Sequence, residues 1–232
     1  MHRAPCCYII TIKKYFFKID FRIVYCELHL HPDEIMKRSE IQEPKASPNF
    51  IGAWTTQPIS ICDEITCFFE KNVGRQVIGR TTSGLNQGFK STTDISIPPS
   101  DICLPGYTAF QDYFEILHCC YKDYLDQWPF LQRFANTLDV GIFSIVRYQQ
   151  GQHFNGMHCE RVSSSLHRVF AFMTYLNDVD SGGSTYFSHY DLEIQPQKGL
   201  TIIWPADWTH AHRGNTVQGG TKYIITGWLD VT

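Results

Sequence analysis

The fold is decided by the stretch from Tyr148 to Trp228. It reads YQQGQHFNGMHCE at 148–160, RVFAFMTYLNDVDSGGSTYF at 168–187 and PQKGLTIIWPADWTHAHRGNTVQGGTKYIITGW at 196–228. Short apolar runs are separated here by Gly, Asn, Asp or Pro, a pattern that is typical of short strands joined by turns. The predicted strands cover 141–148, 153–160, 167–176, 184–188, 191–195, 199–204, 209–214 and 221–229.

The chain before this stretch is predicted to be largely helical. Residues 57–72 place apolar side chains along one face, with Pro58 in the first turn. Residues 107–136 repeat apolar side chains at spacings of three and four, and Pro129 breaks that pattern before a short third helix. Strands that follow a block of helices predict a mainly β fold with flanking helices (α+β), in which the strands form a double-stranded β-helix, or jelly roll.

Residues 75–105 lie between the two helical segments and are rich in Gly, Thr, Ser and Pro. We predict loops with short strands here. The tract GFKSTTD at 88–94 fits the mouth of a substrate pocket or an ordinary surface loop, and the surface loop is the preferred interpretation because most polar irregular tracts are only connections.

The chain is interpreted as an extension followed by one domain. Residues 1–46 form an N-terminal extension of unknown role, with one predicted strand at 18–25 and a polar linker at 37–49. The extension either adds a strand or hairpin to the domain, or is dispensable with Met36 as the natural start. The domain covers 47–232, with a helical part at 50–139 and a jelly-roll catalytic core at 140–232.

The composition excludes several classes of protein. A hydrophobic content of 43% supports a sizeable core, and a net charge of −3 gives no reason to expect nucleic acid as a partner. No apolar run is long enough for a membrane span, and no secretory signal is evident. The nine cysteines contain no Cys-x-x-Cys pair, so we expect reduced thiols in a cytoplasmic protein. The oligomeric state is left open.

A candidate metal site begins at His158 and Glu160. Residues two apart on a strand share a face, so this imidazole and this carboxylate can point into the same space. A third ligand from a distant strand would complete two histidines and one carboxylate, the set that holds non-haem Fe(II) with positions left open. His210 and His212 both fit that role, because both share one face of the predicted strand.

The last predicted strand carries a lysine on an apolar face. Lys222, Ile224, Thr226 and Trp228 alternate and therefore share one side of the strand. An inward ammonium needs an anionic partner, because an unpaired buried charge is costly. The alternative is an exposed edge strand with Lys222 in water. The neighbouring Ile224 and Trp228 favour burial.

These elements together resemble the iron(II)- and 2-oxoglutarate-dependent dioxygenases, in their prolyl 4-hydroxylase-like branch. The resemblance covers about residues 140–230. It is carried by the Tyr-x-x-Gly-x-x-Phe-x-x-x-His pattern that ends at His158, and by TYLNDVDSGGSTYF at 174–187, PQKGLTIIWP at 196–205 and HRGNTVQGGTKYIITGW at 212–228.

The resemblance implies a role for each site residue. In this family the distal ligand histidine precedes, by about ten positions, the basic residue that binds the C5 carboxylate of 2-oxoglutarate. His212 and Lys222 fit that offset, so His212 is the implied ligand and His210 a neighbour of the ligands or of the pocket rim. The residues implied around the co-substrate are Tyr148, Tyr175 and Thr226, with Trp228 as a wall of the site and Thr185 as a further pocket residue.

Two positions need separate comment. Glu160 stands where Asp is usual in the family, so the strand must stand back or the longer side chain must bend. A carboxylate there favours hydroxylation over halogenation, which needs a small residue that leaves room for chloride. Arg168 matches an arginine that is frequent in relatives, but its odd spacing from Tyr175 puts it on the opposite face of a regular strand. A structural role is preferred for Arg168 over a place in the pocket.

The resemblance implies an enzyme that uses Fe(II), 2-oxoglutarate and O2 to hydroxylate an unactivated C–H bond, with ascorbate as a reductant for the iron. The substrate is a peptidyl proline, a free amino acid or another small metabolite. Two rival interpretations remain, a cupin-like metal enzyme that is independent of 2-oxoglutarate and a non-catalytic jelly-roll binding module. Neither rival explains Lys222, Thr226, Tyr148 and Tyr175 together.

Overall fold

Two antiparallel sheets face each other, and helices cover the outer side of the larger one. The structure is a computed structural model and describes residues 48–81, 83–135 and 138–231. In this part of the chain, the larger sheet has the strand order β1–β11–β7–β14–β5–β3–β2, and β4 also pairs with β14. The smaller sheet has the order β10–β9–β12–β6, and β8 pairs with β13 in a short ribbon.

The strands have two to ten residues, and the central strands β7 and β11 are buried along most of their length. Their bounds are β1 Gly52–Thr55, β2 Val77–Ile78, β3 Thr93–Ile97, β4 Leu138–Val140, β5 Phe143–Tyr148, β6 Phe154–His158, β7 Arg168–Tyr175, β8 Ser181–Gly182, β9 Thr185–Phe187, β10 Leu192–Ile194, β11 Leu200–Pro205, β12 His212–Gly214, β13 Val217–Gly219 and β14 Lys222–Val231. Each of the eight predicted strands has a counterpart, and the double-stranded β-helix is confirmed. The prediction is wrong at the start of 209–214, where Trp208–His210 form a 3-10 turn before β12.

Two α-helices lie in the described part of the chain, and both were predicted. Helix α1 covers Ser60–Lys71, so Pro58 lies before its first turn rather than in it. Helix α2 covers Thr108–Gln127 and is followed by a 3-10 turn at Pro129–Arg133 in place of the short third helix. Further 3-10 turns lie at Val73–Arg75 and Pro99–Cys103. Strands β1, β4, β8 and β13 were not predicted.

Alternation along the strands divides the core into two layers. On β7, Phe170 and Phe172 pack against the helices, whereas Ala171 and Met173 face the smaller sheet. Burial of an aromatic or large aliphatic side chain stabilises the fold by about 1.5–3 kcal/mol. The helical layer therefore keeps one face of the larger sheet dry, and the other face is left to line the space between the sheets.

Several predictions lie outside the described residues. These are the extension over 1–46, the strand at 18–25, the start at Met36 and all but the last two residues of the linker at 37–49. Of the cysteines, Cys62, Cys67, Cys103, Cys119, Cys120 and Cys159 lie in the described part of the chain, and all six are free thiols. No helix among the described residues is both long enough and apolar enough to cross a bilayer.

Candidate functional site

Three potential metal ligands meet between the two sheets. His158 ends β6 and pairs in register with His212, which begins β12, so the pairing of the two strands brings the imidazoles together. Glu160 follows two residues after β6 ends. Its Oε1 lies 3.6 Å from Nε2 of His158 and 3.3 Å from Nε2 of His212. One donor atom from each residue lies within 4.8 Å of the other two, a spacing that one ion can bridge.

Both histidines are oriented by main-chain carbonyls. Nδ1 of His158 lies 2.8 Å from the Gly156 oxygen, and Nδ1 of His212 lies 2.9 Å from the His210 oxygen. A carbonyl only accepts, so each Nδ1 carries the hydrogen and donates it. Each Nε2 then faces the space that it shares with Glu160. A neutral ring presents a lone pair there, as a metal-ligating histidine requires, and a protonated ring donates to Glu160 instead.

Both carboxylate oxygens of Glu160 have partners. Its Oε2 accepts a hydrogen bond of 2.7 Å from Nε1 of Trp228 while Oε1 faces the histidines. Burial raises the pKa of Glu160, but hydrogen bonds and attraction from His158 and His212 outweigh burial and hold this pKa well below its usual range. The carboxylate is therefore ionised and ready to act as a ligand.

The extra methylene of Glu160, relative to Asp, is accommodated by the backbone. The strand ends at His158, and the main-chain nitrogen of Glu160 donates instead to the Ala206 oxygen at 3.1 Å. The main-chain oxygen of Glu160 accepts from Ser165 Oγ at 2.7 Å. The main chain has thus left the β6 pairing at this residue, and the side chain brings Oε1 to 3.6 and 3.3 Å from the two histidines.

The structure separates His210 from His212. His210 lies in the 3-10 turn, and its ring points away from the cavity, with Nε2 2.8 Å from the Asn49 oxygen and 3.3 Å from the Tyr190 hydroxyl. Its expected place at the pocket rim is therefore wrong, because the turn breaks the alternation that a strand would impose. Its carbonyl, not its ring, serves the site by orienting His212.

One cavity of about 390 Å³ joins the three ligands to Lys222. Its volume lies at the small end of the range for small-molecule sites. Alternate residues of the last strand face it, as predicted for β14. The residues of β14 on its wall are Lys222, Ile224, Thr226 and Trp228.

Lys222 is a buried cation at one end of this cavity. Its Nζ donates to the Gly183 oxygen at 2.7 Å and lies 4.1 Å from the centre of the Tyr148 ring. Among the described residues, no carboxylate forms an ion pair with it. Burial lowers the pKa of Lys222 from 10.5 to about 7. A buried ammonium that has a carbonyl and an aromatic face as its partners is suited to receive an anion.

Some of the other residues expected around the co-substrate line the cavity, and one does not. Tyr148 and Thr185 line the cavity. Tyr175 does not: it is fully buried, its hydroxyl lies 2.7 Å from Thr185 Oγ1, and it lies 3.3 Å from the Ile194 oxygen. The Tyr175 hydroxyl thus reaches the cavity wall through Thr185, and its predicted contact with the co-substrate stays a prediction.

Thr226 lines the cavity, but its hydroxyl is already engaged. Its Oγ1 donates to the Phe172 oxygen at 2.9 Å, so the hydroxyl hydrogen is not directed at a ligand. Thr226 therefore lies on the cavity wall as predicted, and its role toward the co-substrate stays a prediction.

Arg168 faces the cavity, so its predicted place on the opposite face is wrong. The pairing of β7 with β14 runs from Phe170 opposite Leu229 to Arg168 opposite Asp230, which leaves Val169 as an extra residue in β7. A β-bulge of this kind reverses the alternation beyond it. The guanidinium lies 3.4 Å from the centre of the Trp228 ring.

Several cavity residues were missed by sequence reasoning. Phe89 and Lys90 come from the tract interpreted as a surface loop, and Arg80 precedes it. A Cβ at Gly156 would lie 2.1 Å from the Phe89 ring, so this glycine leaves the slot in which that ring sits beside His158. No local pattern predicts this packing. By contrast, Val146, two residues before Tyr148, follows from alternation along β5.

Comparison with known proteins agrees with this geometry. A family model described as the 2OG-Fe(II) oxygenase superfamily matches residues 143–230. Probable prolyl 4-hydroxylase 9 of Arabidopsis thaliana is 28% identical over an alignment of 114 positions, which covers 38% of this chain and 40% of that protein. Prolyl 4-hydroxylase subunit alpha-2 of Gallus gallus is 28% identical over an alignment of 75 positions, which covers 29% of this chain and 14% of that subunit. The match spans less than half the length of either relative.

Solved structures share the fold. The 2OG complex of the viral collagen prolyl hydroxylase of Paramecium Bursaria Chlorella virus-1 superposes with a TM-score of 0.58 at 15% identity, over 79% of this chain and 97% of that one. A prolyl-4-hydroxylase of Pseudomonas putida gives a TM-score of 0.61 at 14% identity, over 79% and 94%. Residues 143–230 thus match the 2OG-Fe(II) oxygenase superfamily, the curated relatives that they resemble are prolyl 4-hydroxylases, and the solved structures share the fold.

Proposed function

We propose that the chain is a dioxygenase that uses Fe(II) and 2-oxoglutarate to hydroxylate an unactivated C–H bond, as a prolyl 4-hydroxylase does. The observation that carries this proposal is the buried Lys222, which has no carboxylate partner among the described residues and shares one cavity with three convergent metal ligands. A metal site alone would not require that cation.

The donor set fits iron. Two imidazole nitrogens with free lone pairs and one ionised carboxylate suit Fe(II) and leave positions for other ligands. His158, Glu160 and His212 would hold the ion. When bound, iron with 2-oxoglutarate and O2 supplies the oxidising chemistry, and the protein contributes binding, orientation and the exclusion of water.

The co-substrate would be held by its distal carboxylate. Lys222 would provide the ionic contact, with the Tyr148 ring beneath the ammonium and Thr185 at its side. Tyr175 is a positioning residue in this proposal, because its hydroxyl holds Thr185. Thr226 and Trp228 form the wall between this end of the cavity and the ligands.

Aromatic side chains surround the two histidine rings. Phe154 stacks on His158 with ring centres 3.9 Å apart and planes 11° apart. The ring centres of Phe187 and Trp204 lie 5.4 and 5.2 Å from the centre of the His212 ring. These contacts fix the imidazole planes as well as shielding them. The protein thereby holds its ligands in one geometry before any metal binds.

The two rival functions make different predictions. A cupin-like metal enzyme binds metal but does not need Lys222. A non-catalytic binding module binds no metal at stoichiometric level. The convergent Nε2 atoms favour a metal over the binding module, and the buried cation favours the dioxygenase over the cupin-like enzyme.

The substrate class follows less directly. One solved structure, at 14% identity, is that of a prolyl hydroxylase in complex with a hypoxia inducible factor oxygen degradation domain peptide fragment, from Trichoplax adhaerens. A peptidyl proline is therefore one candidate for this chain, alongside a free amino acid and another small metabolite. Ascorbate as a reductant for the iron and a cytoplasmic location are companion proposals, and the free thiols of the described cysteines support the second.

The test is anaerobic binding of 2-oxoglutarate to the Fe(II) protein, measured by calorimetry. We expect stoichiometric binding by the wild type, loss of iron in His212→Ala, and weak 2-oxoglutarate binding with iron retained in Lys222→Ala. Lys198→Ala is the matched control, because Lys198 pairs with Asp63 on the surface. Absence of 2-oxoglutarate binding by the iron-loaded wild type, or unchanged binding in Lys222→Ala, overturns the proposal.

A further inference from the structure

The cavity extends beyond the ligands to a mouth that the proposed function does not use. Phe89 and Lys90 form one side of the mouth, Arg80 lies near them in the chain, and Val162 and Arg168 come from the segment after β6 and the start of β7. The mouth is therefore the place where a third molecule would reach the metal.

The charges on this wall are unbalanced. Of the described residues that line the cavity, four are cationic, and Glu160 is the one acidic side chain. Lys90 is neutralised by Asp94, whose Oδ2 lies 2.7 Å from its Nζ. Lys222 lies at the co-substrate end. Arg80 and Arg168 are the two cations of this wall that are left to face the mouth.

Arg168 is fixed in place without a full complement of acceptors. Its Nη1 donates to the main-chain oxygen of Glu160 at 3.2 Å, and the guanidinium stacks on Trp228. Its Nε is buried and has no acceptor among the described residues. An arginine held flat on an aromatic ring presents a rigid fork of donors that matches a carboxylate.

Glu160 and Asp230 both attract the Arg168 guanidinium, but among the described residues neither carboxylate accepts a hydrogen bond from it. The nearest carboxylate oxygen, Oε2 of Glu160, is 3.6 Å from Nη1 and already accepts from Trp228, while Oε1 faces the histidines. In the proposed function that carboxylate is a metal ligand, so its charge is shared with the ion. Arg80 is exposed at the rim and has no ion-pair partner among the described residues. Two cations thus face the mouth.

We propose that the substrate is itself a carboxylate, bound by Arg168 and Arg80 at the mouth, with its aliphatic part against Phe89 and Val162. The inference rests on the proposed function and adds the substrate class to it. The carboxylate belongs either to a small free acid or to an acidic side chain of a peptide, since both present the same group.

The test uses matched acids and amides on the iron-loaded protein, anaerobically and with saturating 2-oxoglutarate, so that the co-substrate end is filled. The small probes are N-acetyl-L-proline and N-acetyl-L-prolinamide, with propionate and propionamide. The peptide probes are Ala-Pro-Asp-Ala and Ala-Pro-Asn-Ala, each blocked at both ends. Calorimetry gives the ratio of affinities within each pair.

We expect at least one acid to bind about tenfold or more tightly than its amide, as hydrogen bonds to a charged group imply. Arg80→Gln and Arg168→Gln should each reduce that ratio, and the double variant should bring it near one. The exposed Arg133 lies outside the cavity. Arg133→Gln is therefore the control, and its ratio of acid to amide affinity should equal that of the wild type. A preference for the blocked Asp peptide alone identifies a peptide as the source.

Equal binding of acid and amide in every pair, absence of carboxylate binding at millimolar concentration, or a ratio that survives in the double variant overturns the inference. Because 2-oxoglutarate binding is established first in the same samples, these outcomes are distinct from failure of the proposed function. The readout is an equilibrium ratio, so a general loss of activity in a variant does not imitate the expected result.

Discussion

Trp228 donates its indole hydrogen to Oε2 of Glu160 at 2.7 Å, and the same ring lies 3.4 Å beneath the Arg168 guanidinium. One side chain of β14 therefore orients a metal ligand and supports a cation at the cavity mouth. Partners of this kind, which contact a ligand rather than the metal, typically change metal affinity by about 10–100-fold when they are removed.

Trp228→Phe keeps an aromatic ring and removes the donor. We expect metal affinity to fall by roughly tenfold or more, because Glu160 loses the contact that fixes its second oxygen. The measurement is a titration with Fe(II) under anaerobic conditions. Trp54→Phe is the matched control, since its indole donates to Asp123 at 2.9 Å, away from the cavity. Equal affinities in all three proteins would contradict this role.

Glu160→Asp tests the fit of the longer carboxylate. Hydrogen bonds to Ala206 and Ser165 hold the main chain of this residue back from the site. The shorter side chain should therefore fall short of the histidines, and we expect weaker iron binding than in the wild type although Asp is usual in relatives. Iron affinity that is equal or higher in the variant would show that the backbone adjusts.

His210→Ala separates the two candidate histidines. The substitution keeps the carbonyl that accepts from His212, and it removes a ring that contacts Asn49 rather than the cavity. We expect stoichiometric iron in His210→Ala and none in His212→Ala, measured by metal analysis after gel filtration. The reverse result would make His210 the ligand.

Lys222 should make co-substrate binding dependent on pH. Burial lowers the pKa of this amine to about 7, so the free site loses its charge as the pH rises above that value. A bound carboxylate needs the ammonium, and one proton is therefore taken up on binding. We expect 2-oxoglutarate affinity to fall above pH 7 by up to about tenfold per pH unit.

The comparison for this prediction is Lys222→Arg, which stays charged at every pH used. Its 2-oxoglutarate affinity, weaker or not, should be flat between pH 7 and 9. The metal-free wild type should also gain stability as the pH rises above about 7, because the unfolded chain then binds more protons than the folded one. A flat wild-type profile in both measurements would mean that Lys222 is charged throughout.

Phe110 tests the helical layer. It is fully buried and packs against Phe143 of the larger sheet at a ring distance of 5.7 Å. Phe110→Ala should lower the free energy of unfolding by about 3–5 kcal/mol. Phe130→Ala is the control, since that side chain is 68% exposed. The measurement is chemical denaturation, and similar losses in the two variants would contradict the assignment of the core.

Alternation along strands predicted much of the site and also explains where prediction failed. It placed Lys222, Thr226 and Trp228 on one face because β14 is regular over those residues. It failed for Arg168, where one extra residue in β7 reverses the faces. It also failed for His210, where a turn replaces the strand. Hydrogen bonding between strands decides both cases, and the local sequence does not contain it.

The contacts of individual side chains were the second feature that the sequence did not predict. Thr226 lies on the predicted wall of the cavity, whereas Tyr175 lies outside the lining and contacts Thr185, and the Thr226 hydroxyl donates to the Phe172 carbonyl. Phe89 gave no signal, because its place depends on a glycine distant in the sequence. Residue spacing thus predicts which strand carries a side chain, whereas the partner of a hydroxyl or a ring depends on packing in three dimensions.

The slot at Gly156 has a consequence for how such a protein diversifies. The ring that fills it belongs to a loop before the jelly roll, so one wall of the entrance is encoded apart from the strands that carry the ligands. Changes in that loop can alter what enters while the ligands and Lys222 stay untouched. The constraint is that residue 156 stays glycine, since a methyl group there would overlap the Phe89 ring.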